Sequence, residues 1–173
     1  MIPIRKIQAG VMLLASAAVI TACGSKEVDD LPPPATGTAG ANQGPVGNMI
    51  RPGSQQDFIN SVGMGNDRIF FDTDRYNIDS ADQVTLQTQA QWLARNQGAQ
   101  ITIEGHADER GTRDYNLALG ERRANSAKNY LVSLGVSPAR VRTVSFGKER
   151  PQALGSDAQA WAQNRRAVTV IVN

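Results

Sequence analysis

Residues 101–108 alternate with a period of two. Ile101, Ile103, Gly105 and Ala107 fall on one face, and Thr102, Glu104, His106 and Asp108 on the other. This is the pattern of a strand with one covered face. The first set is expected to meet helices, and the second to face outward or line a groove. Residues 114–134 follow the helical period instead. Gly120, Ala124, Ala127, Leu131 and Leu134 form one stripe, Gly135 stands where a left-handed C-cap belongs, and Pro138 follows. Upstream, residues 68–71 (RIFF) read as a short apolar strand. Ser80 with Gln83 has the capping-box spacing for a helix carrying Leu86, Ala90 and Leu93 and ending near residues 96–98. Downstream, the spacing predicts a strand over 141–146, a short helix over 157–163 and a last strand over 167–172. The order β-α-β-α-β-α-β predicts an α+β domain over residues 67–173, with helices on one face of a mixed four-stranded sheet. No internal repeat is evident.

The first 66 residues have a different character. Arg5 and Lys6 precede an apolar stretch over residues 7–20, interrupted by Gln8 and Ser16. The stretch is shorter than the ~18–20 clean apolar residues that span a bilayer, so residues 1–22 read as a signal peptide. Ile20-Thr21-Ala22 ahead of Cys23 resembles a bacterial lipobox, in which the cysteine is acylated and becomes the new N-terminus. One acyl chain holds a membrane only marginally; a lipoprotein cysteine carries three. Gly24 is not the Asp of an inner-membrane retention signal, so the expected site is the outer membrane, with the domain facing the periplasm. Residues 31–53 hold five prolines, five glycines and one charge, too little apolar surface to order themselves. Residues 23–66 are therefore expected to be a tether, reaching on the order of 140 Å extended and roughly 35–40 Å as a relaxed coil.

Charge and cysteine content narrow the chemistry. The net charge of +2 belongs to Arg5 and Lys6, since residues 23–173 hold 16 Lys+Arg and 16 Asp+Glu. A neutral chain has no global field for nucleic acid, and none is expected as a partner. One Cys and one His exclude a disulfide framework and a zinc cluster, and no metal or cofactor is expected. There is no GxSxG or HExxH motif. A glycosidase pair needs one carboxyl of raised pKa, whereas Arg123 beside Asp108 would depress one. The chain is not expected to be an enzyme.

Residues 105–124 read GHADERGTRDYNLALGERRA, with FFDTDRYNI at 70–78, FGKERP at 146–151 and NRRAV at 164–168. These four blocks, in this order, resemble the OmpA-type peptidoglycan-binding domain family, and in particular its lipoprotein branch. The resemblance spans residues 68–173. It implies noncovalent binding of diaminopimelate in peptidoglycan stem peptides, gripped by Asp108 and Arg123, with Phe71 and Asp72 lining the pocket by their backbone. It also implies tethering of the outer membrane to the wall, and partnership with TolB and other Tol proteins in envelope integrity and division. A module chiefly for TolB, with incidental wall binding, is the alternative.

The residues support that site on their own terms. The free end of diaminopimelate carries an ammonium and a carboxylate on one carbon, complements for an Asp and for the two-pronged donor of an Arg. At 100° per residue, Arg123 lies about 60° from the centre of the apolar stripe and Arg122 roughly opposite it, so Arg123 reaches a cleft and Arg122 is solvated. Asn116, with Tyr115, lies near the helix start, where free N–H groups favour an anion. The bland alternative is a structural Asp108–Arg123 ion pair. His106 is expected to order the strand and loop by a hydrogen bond. Of Arg165 and Arg166, one is expected to brace the pocket and the other to be solvated. Glu109 and Arg110 read as a solvated loop, and Trp92 and Trp161 as core or surface-patch residues.

Overall fold

A computed structural model describes residues 50–172. The expected signal peptide, Cys23 and most of the expected tether lie outside the described residues. Helix α1 (Gln55–Val62) is capped by Ser54, whose side chain accepts from the Asp57 N–H at 3.2 Å. Phe58 is fully buried and packs edge-on against Trp92, ring centroids 5.0 Å apart, with Val62 one turn on also in the core. The expected tether boundary at residue 66 is therefore corrected: residues 54–66 belong to the domain. Composition hid this helix, because the apolar residues of an eight-residue segment amount to Phe58, Ile59 and Val62. An i, i+4 pair needs only a partner surface to become a core face, and α2 (Ser80–Arg95) supplies it.

The remaining elements match the expected order. Strand β1 (Arg68–Phe70) precedes α2. Then come β2 (Gln100–His106), α3 (Arg113–Ser133), β3 (Val141–Gly147), α4 (Ala158–Asn164) and β4 (Arg166–Val172). The sheet order is β1-β4-β2-β3, with β2 and β3 parallel and β4 antiparallel to both β1 and β2. This is the mixed four-stranded α+β architecture read from the pattern. The β2 alternation holds, with Ile101, Ile103 and Ala107 buried beneath the helices. The same face continues through Ala167, Thr169 and Ile171 of β4 and Ile69 of β1. Helix α2 is capped by Asp79 rather than Ser80; its Oδ1 accepts from the Asp82 N–H at 2.8 Å. Gly135 takes φ +96° after α3, and the Val136 N–H returns to the Leu131 carbonyl, as a left-handed cap requires. Leu134, the last residue of the expected stripe, is 40% exposed because the helix ends at Ser133.

One contact sets where α3 lies. Gly105 of β2 and Gly120 of α3 meet backbone to backbone, and a Cβ on Gly105 would fall onto the Gly120 carbonyl. Helix and strand thus approach as closely as main chains allow, which brings the next turn of α3 over the C-terminal end of β2. Gly105→Ala forces the two elements apart. We expect a loss on the order of 3 kcal/mol or more in urea unfolding; an unchanged midpoint would contradict this packing.

Buried Asp82 gives the fold a pH dependence. Its Oδ1 accepts from the Phe70 N–H at 3.2 Å, closing the outer edge of β1, while Oδ2 is buried with no hydrogen bond among the described residues. Burial, partly offset by the Phe70 N–H, pushes this carboxyl from 3.8 up to about 6. A raised folded-state value stabilises fully below the unfolded value, and that contribution is lost as pH rises through about 6. Asp82→Asn keeps the acceptor without the charge. Its unfolding free energy, measured from pH 4 to 7, is expected to rise relative to the parent by on the order of 2 kcal/mol. A constant difference across that range would refute the assignment.

Candidate functional site

The loop between β2 and α3 is built around one carboxylate. Asp108 is 7% exposed, and its Oδ1 accepts from the Arg110 N–H (3.1 Å) and Nε (3.0 Å). Its Oδ2 accepts from Arg110 Nη2 at 2.7 Å and from Arg165 Nη1 at 3.5 Å. Burial raises this carboxyl's pKa, but the Arg110 hydrogen bonds and charge outweigh it and hold the group below its ordinary value. Asp108 is therefore a carboxylate at neutral pH. Gly111 (φ +85°) turns the chain, and Thr112 caps α3 by accepting from the Tyr115 N–H. Asn116, 2% exposed, donates to the Arg110 carbonyl at 2.7 Å and so pins the loop to the helix start.

Arg123, fully buried one turn beyond Gly120, is held differently. Its Nε donates to the Arg75 carbonyl (2.9 Å), Nη1 to the His106 carbonyl (2.8 Å) and Nη2 to the Asp72 carbonyl (3.1 Å). The guanidinium lies over the Phe71 ring at 5.1 Å. Burial and then the charge of Arg165 lower its pKa to about 10, which leaves it protonated at neutral pH. Among the described residues it makes no ion pair. A structural Asp108–Arg123 pair, the bland alternative, does not form. Both residues instead line one open cleft of about 450 Å³ with Thr73, Asp74 and Tyr115. Three of the five guanidinium N–H groups are used by carbonyls, leaving two for a guest. A buried cation without an anionic partner is costly, so a carboxylate entering this cleft gains more than one meeting a solvated arginine.

The other expected residues divide. Asn116 lines the same cleft, whereas Phe71 and Asp72 line a neighbouring one. Their carbonyls serve as acceptors instead, Phe71 for Arg165 Nε (2.8 Å) and Asp72 for Arg123. Arg122 is exposed, as helical phase requires, near the Tyr76 ring. Arg165 braces the site through Phe71 and Asp108. The other of the pair is not solvated: Arg166 is 7% exposed, with its guanidinium turned to the Arg150 and Asn164 carbonyls.

His106 also departs from expectation. Its ring nitrogens make no hydrogen bond of good geometry among the described residues, and Glu104 Oε2 stands 3.6 Å away, too far for one. The ring packs against Phe146, and burial followed by the charges of Arg166 and Arg150 lowers its pKa to about 4, so it is neutral at pH 7. The ordering role falls to its backbone carbonyl, which holds Arg123. Arg110, expected in a solvated loop, forks Asp108 and stacks over Trp161 at 4.2 Å, while Trp161 Nε1 donates to Glu109. The Asp-x-Arg spacing was the available signal, since an Asp side chain turns back to the N–H two residues on.

A sequence profile described as the OmpA family matches residues 70–165. The chain belongs to the OmpA family. Similar relatives include the peptidoglycan-associated lipoprotein of Rhizobium meliloti (strain 1021), 62% identical over 69% of this chain and 66% of that protein. The peptidoglycan-associated lipoprotein of Pasteurella multocida (strain Pm70) is 35% identical over 95% of this chain and 97% of that protein. Among solved structures, the peptidoglycan-associated lipoprotein from Burkholderia pseudomallei is 47% identical with a TM-score of 0.59, covering 61% of this chain and 89% of that one. The C-terminal domain of Helicobacter pylori MotB shares the fold at 18% identity and a TM-score of 0.58, covering 61% of this chain and 84% of that one. In this OmpA-family domain, both the arginine and the aspartate of the cleft are fixed mainly by groups of their own fold before any ligand arrives.

Arg123→Lys keeps a charge but cannot reach three carbonyls as a planar fork. We expect a loss of about 2 kcal/mol in chemical denaturation, from carbonyls left without donors. Parent-like stability would show that the carbonyl cage is not what holds this residue.

Proposed function

We propose that this protein binds the diaminopimelate of peptidoglycan stem peptides noncovalently and tethers the outer membrane to the cell wall. The observation that carries the reading is a fully buried Arg123 with no anionic partner among the described residues, sharing one cleft with the ionised Asp108. The free end of diaminopimelate supplies the missing anion for Arg123 and an ammonium for Asp108, with Asn116 keeping the loop in place. Phe71 and Asp72 contribute by carrying the carbonyls that orient Arg165 and Arg123. Nothing in this arrangement calls for turnover: the carboxylate is held ionised by arginines, the opposite of a general acid. The protein is a binder and not a hydrolase.

The membrane end of the tether is the acylated Cys23, with the domain in the periplasm. Each contact with one small zwitterion is weak, and many copies facing a repeating polymer gain by effective concentration while leaving the wall free to be remodelled. The resemblance to peptidoglycan-associated lipoproteins supports, as part of this proposal, a role in the Tol system with TolB as a protein partner and envelope integrity and division as the processes served.

Sedimentation with purified sacculi tests the binding reading. Asp108→Asn and Arg123→Lys, each confirmed folded by circular dichroism, are expected to bind at least about tenfold more weakly. Arg122→Ala should pellet like the parent. Retention of both site variants in the pellet would overturn the proposal.

A further inference from the structure

A second cleft of about 330 Å³ adjoins the first. Two residues join them. Asp72 gives its carbonyl to Arg123 while lining the second cleft, and Arg165 reaches Asp108 with Nη1 while lining the second cleft as well. Phe70 stands in this cleft 44% exposed, at the end of β1. Around it are Asp72, Asn77 and Gln163, whose side chains make no hydrogen bond among the described residues. Arg165 Nη2 is likewise unused, since its bonds run through Nε and Nη1.

The chemistry of this lining selects a ligand class. Asp72 and Asp79 disfavour a carboxylate guest. What the lining offers most of is hydrogen-bonding groups, which suit a guest rich in hydroxyls and amides. Asp72 accepts, Arg165 donates, and the Asn77 and Gln163 amides do both, which matches groups that are donor and acceptor at once. The exposed Phe70 ring adds an apolar face on which the C–H side of a sugar ring can lie, a cleft of mixed character suited to an amphipathic ring.

We infer that this second cleft is a sugar subsite, holding an N-acetylated amino sugar of the glycan strand whose stem peptide occupies the first cleft. The inference rests on the diaminopimelate reading and extends it from the peptide to the strand that bears it. Reach permits it: two residues and a lactyl link separate diaminopimelate from the glycan, roughly 10 Å of extended chain.

The test is calorimetric titration of the full chain with two ligands. One is the tripeptide L-Ala-D-Glu-meso-diaminopimelate; the other is the same tripeptide on its N-acetylglucosaminyl-N-acetylmuramyl disaccharide. The disaccharide form is expected to bind about fivefold more tightly, the worth of one aromatic contact. Phe70→Ala and Gln163→Ala should each reduce that gain while leaving tripeptide affinity within about twofold. Equal affinity for the two ligands, or a gain untouched by both substitutions, would overturn the sugar subsite and leave the diaminopimelate reading standing. If neither ligand binds the parent, both readings are overturned.

Discussion

The end of the sheet where the cleft lies is organised by one buried guanidinium. Arg123 joins the His106 carbonyl at the end of β2 to the Asp72 and Arg75 carbonyls, about 50 residues earlier in the chain, and covers the Phe71 ring. Arg165 ties the same two segments a little further along, from the Phe71 carbonyl to Asp108. The position of Arg123 follows from the Gly105–Gly120 contact, because only main chains that touch bring the next turn of α3 within reach of the β2 terminus. Carbonyl dipoles orient the cation without neutralising it, so the fold carries an unpaired positive charge in a desolvated place. Stability and recognition thus draw on the same side chain.

The surrounding charges reinforce this bias. Arg110 and Arg165 both reach Asp108, so three arginines stand against one buried carboxylate at the mouth of the cleft. On the proposed reading, the guest carboxylate meets this surplus, while the ammonium beside it has Asp108 and the nearby Asp74 for acceptors. Asp74 is itself fixed, taking φ +56° and accepting from the Tyr115 hydroxyl at 3.1 Å. Other arginines act on His106, which is kept neutral by burial and by the charges of Arg166 and Arg150. A neutral ring there leaves its backbone carbonyl undisturbed as an acceptor for Arg123.

Strict periodicity made the sheet and its two long helices legible, since β2 and α3 each bury one face and show it in every second or every third to fourth residue. Helix α1 was not legible: its burial depends on Phe58 meeting Trp92 and on Val62 joining the same core, a tertiary fact without a local pattern. At the site, helical phase separated Arg123 from Arg122 correctly. Phase could not show that backbone carbonyls, which every residue carries, hold Arg123. Phe71 and Asp72 fell into the adjoining cleft for the same reason, as their part in the main one is played by main-chain oxygens. That neither Arg165 nor Arg166 is solvated was not legible, because alternation gives a face and not an exposure, and Arg166 is buried with its guanidinium turned to the Arg150 carbonyl.

On the proposed reading, a carboxylate on the guest completes Arg123. Lysine in the third position of a stem peptide keeps the distal ammonium of diaminopimelate and lacks only that carboxylate, which makes the pair a direct probe. Measured by calorimetry on one preparation, the diaminopimelate tripeptide is predicted to bind at least about tenfold more tightly than its lysine counterpart. Equal affinities would contradict the account.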